Sequence, residues 1–354
     1  MTLRFDSPPA EVCLIRLSAI GDTCHVVAVL QALRQAWPET RFTWIIGKVE
    51  ARLMSAVLPH VEFIIFDKRA AASEMSRIRR ELKGRRFALL LHLQLSFRAS
   101  LLSTCVRAKV RLGFDRRRAR ELQWMFTNAK IPVREHEHVL DSLLGFVRAC
   151  GIEPGPPRWE IRHSPAALDY AAELIDDERP TLLISPCSSH RARNWSVAGY
   201  AALARHAVAT HGMRVILVGG PSPLEAQMGA AIESAAQCPL VNQIGKDTLP
   251  LLLALIARAR LLLTPDSGPA HMATMVGTPV LGLYAATNPA RSGPYLSLAT
   301  CVDRYDAAAR RYRGKPSSEL AWTAKIEMPG VMDLISVGEV SAMLDSVMRA
   351  GNVR

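Results

Sequence analysis

The segment 261–284 carries a strand–turn–helix pattern that suits phosphate binding. An apolar strand ends at Asp266, and the small-residue turn Ser267-Gly268-Pro269-Ala270-His271 follows it. Proline is favoured in a first helical turn. A turn of this kind aims backbone N–H groups and a helix N-terminus at a ligand above the strand. Asp266 would then be placed to hold hydroxyls of an attached sugar. The alternative is an ordinary helix cap.

A second candidate site follows the first apolar strand, 12–17, in the segment Ser18-Ala19-Ile20-Gly21-Asp22. Gly21 permits a tight turn before a helix that we predict over 26–37. Asp22 is thereby placed at the carboxyl end of the strand, where a carboxylate can accept a proton from an attacking hydroxyl. The alternative is a capping role. Because no G-x-G-x-x-G follows this strand, hydride transfer loses its main support, and a Walker A loop is absent as well.

Two further strands end in polar residues. Ser188 and Ser189 follow the strand 181–185 and are soon joined by Arg193, so hydroxyl and guanidinium groups are available to a diphosphate. Glu225 follows a glycine-rich turn and is a candidate ligand of ribose hydroxyls. The alternative for the first segment is a surface turn with solvated arginines. The alternative for the second is a glutamate in a first helical turn.

The elements that must position these residues form two α/β domains. The chain has 354 residues, too many for one typical core, and its apolar strands alternate with helices. This pattern predicts parallel sheets covered on both faces. The Gly/Pro-rich segment 151–157 is the predicted linker. We therefore expect domains at 1–157 and 158–335, with a last helix in 336–354 that can pack back on the N-terminal domain.

Composition narrows the class of protein. The formal net charge is +12, so anionic partners are expected. No apolar run reaches about 18 residues, and the N-terminus lacks the apolar core of a signal peptide. Seven scattered cysteines without a C-x-x-C pair favour reduced thiols in a cytoplasm. Two clusters supply much of the charge: Arg77, Arg79, Arg80, Lys83, Arg85 and Arg86; and Arg107, Lys109, Arg111, Arg116, Arg117, Arg118 and Arg120.

Taken in order, these segments resemble glycosyltransferase family 9, the lipopolysaccharide heptosyltransferases. The likeness covers about 12–295. It implies a GT-B fold, an α/β architecture of two doubly wound Rossmann-like domains facing across a cleft. It also implies an ADP-heptose donor held by the C-terminal domain, and inversion at the anomeric carbon. The motifs that carry it are 16–22, Ser188-Ser189, Arg193-Asn194-Trp195, Gly219-Gly220-Pro221 with Glu225, Asp266-Ser267-Gly268-Pro269-Ala270-His271, and Thr287-Asn288-Pro289.

The resemblance assigns roles to individual residues. Asp22 matches the general base, and Arg193 stands where the family usually has a lysine serving the donor phosphates. The donor-binding set implied in this way is Ser188, Ser189, Arg193, Glu225, Asp266, Ser267, Gly268 and His271. We expect Ser18, Gln94 and Arg98 on the acceptor side. Here the family often has Asp-x-Gln, whereas this chain has His92-Leu93-Gln94.

The main reading is a transferase at the inner face of the bacterial inner membrane, acting on an anionic glycolipid. No cofactor is expected. No metal site is expected either, because the C-terminal domain has no D-x-D pair at a strand end and no His/Cys cluster of ligand spacing. Two alternatives remain, a sugar-nucleotide epimerase or hydrolase and a nucleic-acid-binding protein. The second is disfavoured because aromatic residues rarely interleave the basic clusters. The sequence leaves the oligomeric state open.

Overall fold

The structure, a computed structural model, describes residue 3 and residues 5–351. The chain divides between Ser164 and Pro165 into two compact units, and each unit holds one six-stranded sheet. Every strand pair within the two sheets is parallel. The predicted α/β class with two doubly wound domains is confirmed.

The first unit has the strand order β3-β2-β1-β4-β5-β6, the order of a doubly wound nucleotide-binding sheet. Its strands are β1 (Glu11–Ile15), β2 (Arg41–Gly47), β3 (Glu62–Phe66), β4 (Phe87–His92), β5 (Ala108–Gly113) and β6 (Ala129–Lys130). Its helices are α1 (Ile20–Ala36), α2 (Lys48–Val57), α3 (Ala71–Glu81), α4 (Phe97–Ser103) and α5 (Val139–Ala149). The continuous apolar runs of β1 and β4 are buried because helices cover both faces of the sheet.

The second unit repeats this winding, with the order β12-β11-β10-β7-β8-β9. Its strands are β7 (Thr181–Ile184), β8 (Arg214–Leu217), β9 (Val241–Asn242), β10 (Leu261–Pro265), β11 (Val280–Tyr284) and β12 (Cys301–Asp303). Its helices are α6 (Pro165–Leu174), α7 (Val197–His211), α8 (Pro223–Ala236), α9 (Leu249–Arg258), α10 (Gly268–Val276), α11 (Pro289–Ser292), α12 (Tyr305–Arg313) and α13 (Val337–Gly351). In such sheets ligands bind beyond the carboxyl ends of the strands.

The domain boundary lies later than the predicted 157. Residues 158–164 stay with the first unit because their polar groups are bonded to it. Trp159 Nε1 donates to Cys24 O at 2.9 Å, and Gln31 Nε2 donates to Glu160 O at 2.8 Å. The Gly/Pro-rich segment therefore runs along the first unit rather than ending it.

The last helix packs against its own unit. Val340 and Leu344 of α13 are fully buried in the core of the second unit. The Trp195 Nε1 group donates to Ile335 O at 2.9 Å, which fixes the chain just before this helix. The second unit thus buries an apolar face of α13. The expected packing of this helix on the first domain stays a prediction.

The basic cluster 107–120 is only partly a charged surface. Part of this cluster lies in β5, a strand that the sequence analysis did not predict. In this strand the half-buried Arg111 donates to Phe126 O, Val106 O and Ser103 O at 2.8–3.0 Å. Arg118 pairs with Asp115 and with Glu137. These two guanidinium groups serve the fold, whereas Arg116 and Arg117 lie exposed.

Among the described helices, none combines the length and the apolar character needed to cross a membrane. All seven cysteines are free thiols, and six of them are buried. Burial raises the pKa of the Cys150 thiol to about 12, so this group is an inert apolar side chain at neutral pH.

Candidate active site

Asp22 lies in the first turn of α1, because this helix begins at Ile20 and not near Val26 as predicted. Its Oδ2 atom accepts the backbone N–H of Ala19 at 3.2 Å and pairs with Arg16 Nη2. The side chain of Asp22 is 33% exposed, whereas that of Arg16 is 12% exposed. Asp22 is thus a capping group and also a carboxylate within reach of a ligand.

The loop between β1 and α1 is held from the end of β4. Arg16 Nη1 donates to Leu93 O at 2.6 Å, and Gln94 Oε1 accepts the backbone N–H groups of Leu17 at 3.0 Å and of Ser18 at 3.3 Å. The structure therefore brings together two of the predicted acceptor residues, Ser18 and Gln94. Gln94 positions the loop that carries Asp22.

A buried amide supports this arrangement, and the sequence reading missed it. Gln123 Nε2 donates to His92 O at 2.8 Å and lies 3.0 Å from His92 Nδ1, while Gln123 Oε1 accepts from Phe114 N at 3.1 Å. Burial lowers the pKa of His92 to about 4, so its imidazole is neutral and can accept at Nδ1. Gln123 stands 29 residues from Gln94 in sequence, so no local pattern reveals the contact.

Two further polar residues of the first unit, the predicted Arg98 and the nearby His25, differ in exposure. Arg98, on α4, is exposed at the surface. His25 is 2% exposed and its ring meets that of His138 edge-on, with centroids 5.5 Å apart. This burial makes His25 a residue of the core, and Asp22 remains the candidate base.

In the second unit, the predicted strand–turn–helix at 261–277 is confirmed. β10 ends at Pro265, α10 begins at Gly268 with Pro269 in its first turn, and Gly277 ends it with φ 76°. Ser267 precedes the helix, and its Oγ lies 2.7 Å from Thr264 Oγ1. His271, on the same helix, is 8% exposed. The N-terminus of α10 thus follows directly on the carboxyl end of a central strand.

Ser188 joins the loop after β7 to the loop after β10. Its Oγ donates to Asp266 O at 2.7 Å, and its backbone N–H donates to Asn194 Oδ1 at 2.7 Å. The hydrogen that we expected Ser188 to donate to phosphate is therefore used within the protein. Ser189, the next residue, is exposed.

Arg193 lies between two carboxylates. Its Nη1 atom is 3.1 Å from Asp266 Oδ2, while Nε and Nη2 donate to Glu327 Oε1 at 2.9 and 2.6 Å. Burial alone would raise the pKa of Glu327, but the hydrogen bonds and charge of Arg193 outweigh it, so the pKa lies below its usual value. Arg193 and Asp266 are thus in contact as one site. Glu327 was missed because it lies 134 residues away in sequence.

Glu225 closes the glycine-rich turn that precedes α8. Its Oε1 accepts from Gly220 N at 2.8 Å and its Oε2 accepts from Ser222 Oγ at 2.6 Å. A Cβ at Gly220 would lie 3.0 Å from Glu225 Oε2, so the absence of a side chain there permits this close approach. Glu225 therefore lies in a first helical turn, as the alternative interpretation predicted. Lone pairs on both of its carboxylate oxygens remain available to hydroxyl donors.

A tyrosine hydroxyl and a carboxylate near these residues are buried, and the sequence analysis did not predict either of them. Among the described side chains, Tyr284 Oη and Asp247 Oδ2 are buried without a hydrogen-bond partner. Burial raises the pKa of Asp247 to about 7. A backbone hydrogen bond acts against this shift, and the negative charge of Glu225 adds to it. Burial, with a smaller effect of Asp266, raises the pKa of Tyr284 well above its usual value.

Three potential metal ligands of the second unit meet although the sequence shows no His/Cys cluster of ligand spacing. His206, His211 and Asp345 place one ligand atom each within 4.8 Å of one another. The carboxylate comes from α13 and the imidazoles from α7, so their spacing in sequence gives no sign of it. The cluster shares no residue with the predicted donor or acceptor sites.

The chain has two doubly wound sheets of this strand order, and polar residues lie beyond the carboxyl ends of their strands. This architecture is that of the GT-B fold class. The family model described as glycosyltransferase family 9 (heptosyltransferase) matches residues 75–322. The chain is 40% identical over 336 residues to the lipopolysaccharide core heptosyltransferase OpsX of Haemophilus influenzae, covering 95% of this chain and 96% of that protein. The chain belongs to glycosyltransferase family 9.

Solved structures agree on the fold. The glycosyl transferase family 9 structure from Veillonella parvula superposes with a TM-score of 0.79 at 20% identity, covering 96% of this chain and 97% of that one. The Escherichia coli heptosyltransferase WaaC with ADP gives a TM-score of 0.74 at 17% identity, covering 95% and 99%. Family membership makes this protein a glycosyltransferase, which decides among the function classes that the sequence left open.

Proposed function

We propose that this protein is an inverting heptosyltransferase that moves heptose from ADP-heptose to an inner-core lipopolysaccharide acceptor. The observation that carries the proposal is the 40% identity, over almost the whole of both chains, to a lipopolysaccharide core heptosyltransferase. The WaaC enzyme of the same fold has been solved with ADP and with ADP-2-deoxy-2-fluoro heptose. These names support an adenine nucleotide and a heptose as the donor.

In this proposal the second unit holds the donor. The backbone N–H groups of Ser267 and Gly268 face the diphosphate at the N-terminus of α10, and Glu225 accepts from the ribose hydroxyls. When the donor enters, a phosphate oxygen replaces Asp266 as the partner of Arg193 Nη1. The released Asp266 carboxylate then accepts from hydroxyls of the sugar. Arg193 and the backbone amides meet the charge of the diphosphate, without a divalent metal.

Asp22 acts as the general base. The acceptor hydroxyl oxygen forms a bond to the anomeric carbon, the bond from that carbon to the phosphate oxygen breaks, and ADP leaves. The proton of the hydroxyl passes to the Asp22 carboxylate. Arg16 and the N–H of Ala19 both contact Oδ2 and so fix the direction of the side chain. Displacement from the face opposite the diphosphate inverts the configuration.

The acceptor meets the first unit. Ser18 lies in the loop that leads into the helix of Asp22, and Gln94 acts by holding this loop. The exposed Arg98 is available to carboxylates or phosphates of the acceptor. Inner-core acceptors of the family carry such groups, which agrees with the net charge of +12.

The protein is proposed to act in the cytoplasm, peripherally at the inner face of the inner membrane. Arg116 stacks over Trp124, with the guanidinium carbon 4.6 Å from the ring centroid, and the side chain of Arg117 is 72% exposed. Leu122 and Met125 of the same segment are exposed apolar residues, at 49% and 61%. Exposed cations beside apolar side chains suit an anionic lipid surface.

The direct test offers the purified protein ADP-heptose with a lipopolysaccharide acceptor that lacks heptose, and UDP- and GDP-sugars in parallel. Heptose transfer with release of one ADP for each sugar attached is expected, together with selective binding of the ADP-sugar. Turnover of the sugar nucleotide at an equal rate without acceptor would instead identify an epimerase or hydrolase. Binding of all three nucleotide sugars with equal affinity would contradict the proposed donor.

A further inference from the structure

Helices α7 and α13 of the second unit bring two imidazoles and one carboxylate to one point. His206 Nε2 and His211 Nε2 each lie 2.7 Å from the same oxygen, Asp345 Oδ1. The two rings stand at 84° to one another, with centroids 5.6 Å apart. Both nitrogens point at a single oxygen, so three potential ligand atoms lie within 4.8 Å of one another.

We propose that His206, His211 and Asp345 form a binding site for a borderline divalent cation of the Zn²⁺ type. Imidazole nitrogen and carboxylate oxygen are ligands that Zn²⁺ takes at about 2.0–2.2 Å in tetrahedral geometry. Such bonds separate neighbouring ligand atoms by about 3.3 Å. The imidazole nitrogens therefore move away from Asp345 Oδ1 by about 0.6 Å when the ion enters, within the reach of small side-chain rotations.

The protons of the two imidazoles can be rearranged at little cost. Each Nε2 carries the hydrogen that it donates to Asp345, and metal binding requires this nitrogen to be unprotonated. The hydrogen moves through solvent to Nδ1 of the same ring. His206 Nδ1 lies 3.3 Å from Thr210 Oγ1, which then accepts it. A hydroxyl partner of this kind orients a metal-binding imidazole.

Exposure of the cluster allows an ion to enter. The side chains of His206, His211 and Asp345 are 27%, 16% and 28% exposed. Three protein ligands leave the fourth tetrahedral position to water. Because the ligands come from two helices, the ion would tie α13 to α7 and stabilise the second unit. This structural role goes beyond the proposed transfer, which uses none of these residues.

The test titrates the untagged full-length chain with ZnCl₂ and follows heat release and the Tm, with Co²⁺ as a spectroscopic probe. One Zn²⁺ per chain, a higher Tm with Zn²⁺, and the visible absorption of tetrahedral Co²⁺ are expected. Loss of an outer partner of a metal ligand costs about 10- to 100-fold in affinity. His206→Asn, His211→Asn and Asp345→Asn should therefore each weaken Zn²⁺ binding by at least that much.

Two further variants separate a metal site from a plain hydrogen-bonded cluster. Thr210→Val leaves all three ligands in place and should weaken Zn²⁺ binding by about tenfold or more. His60→Asn removes an exposed histidine of the first unit and should leave binding unchanged. Circular dichroism of the metal-free variants checks that they fold. Absence of one-to-one binding in the wild-type chain, or equal loss of binding in His60→Asn, would overturn the proposal.

Discussion

One carboxylate oxygen of Glu327 accepts two hydrogen bonds from Arg193, at 2.6 and 2.9 Å. The contact joins the segment after α12 to the loop after β7, and it leaves only one terminal nitrogen of the guanidinium directed at Asp266. One cation thus balances two anions where the donor diphosphate is proposed to bind. We expect the incoming diphosphate to compete with these carboxylates for Arg193, and we propose that this competition limits the donor affinity.

Replacing Glu327 with Gln should tighten binding of ADP. The amide oxygen can still accept from Arg193, but one negative charge near the diphosphate is removed. At the effective dielectric constant of a partly exposed site, one charge a few ångströms away is worth about 1 kcal/mol or more, so we expect a roughly 3- to 10-fold lower Kd for ADP at low salt. Isothermal titration calorimetry measures the Kd for ADP of the variant and of the wild type.

Glu319→Gln provides the matched control, because Glu319 is an exposed acid of the same unit in a neighbouring turn. Its substitution should leave the Kd for ADP within experimental error. Weaker ADP binding in Glu327→Gln would show instead that Glu327 holds Arg193 in its binding position, and the competition described above would be wrong.

Arg193→Ala should weaken donor binding and also lower kcat. Its charge meets the diphosphate both in the bound donor and in the transition state, so both steps lose the interaction. The substitution also leaves Asp266 and Glu327 without their shared cation. We expect a loss of about 10- to 100-fold in ADP affinity, since hydrogen bonds to charged groups are worth about 1.5–3 kcal/mol. Arg191→Ala, two residues away, is the control and should bind ADP nearly normally.

Asp22→Asn should lower kcat by about 10²- to 10⁴-fold while donor affinity stays nearly constant. The amide oxygen can still accept the N–H of Ala19, so the start of α1 is retained while the base is lost. Asp141→Asn is a matched control, because Asp141 also lies in the first turn of a helix, α5. Steady-state kinetics with the true acceptor measure kcat for both variants. Near-normal turnover of Asp22→Asn would reduce Asp22 to a cap.

The local part of the site could be predicted from sequence, and the reason is geometric. Asp266 with the turn before α10, and Glu225 with the turn before α8, each lie within a few residues of the strand and helix that place them. Proline and glycine mark the limits of these elements directly. The carboxyl ends of parallel strands meet at one edge of a sheet, so strand ends alone indicated a shared site.

The contacts that complete the site join distant segments and gave no sequence signal. Glu327 reaches Arg193 from a stretch that the sequence reading did not place, and Gln123 reaches the end of β4 through its side chain alone. The start of α1 was missed because Gly21 suggested a turn, whereas the helix already includes it. The core that α13 joins was likewise beyond a sequence pattern, since burial of its apolar face depends on distant segments.

Asp247 should make stability depend on pH. Its pKa is raised in the folded protein to about 7, whereas in the unfolded chain it is about 3.9. The folded state therefore binds more protons, and its stability falls as pH rises from about 4 to about 7. Asp247→Asn removes this penalty, so its gain in Tm over the wild type should be larger at pH 8 than at pH 5. Thermal denaturation at both pH values measures this gain.

The neighbouring Asp169→Asn serves as the control for that experiment, since Asp169 is an exposed acid of the same unit. It should change the Tm by a similar, small amount at both pH values. If Asp247→Asn gained no more stability at pH 8 than at pH 5, the carboxyl of Asp247 would not be desolvated as the structure places it.

Membrane association should depend on the exposed arginines of the first unit and not on Arg118, which the fold uses. Each cation near an anionic surface contributes about 1 kcal/mol, so the double variant Arg116→Ser, Arg117→Ser should bind anionic vesicles about 30-fold more weakly. Salt should weaken wild-type binding by screening. Co-sedimentation with phosphatidylglycerol vesicles measures this, with Arg310→Ser, Arg311→Ser of the second unit as the control pair. Equal binding to neutral vesicles, or an equal loss in the control, would contradict the proposed surface.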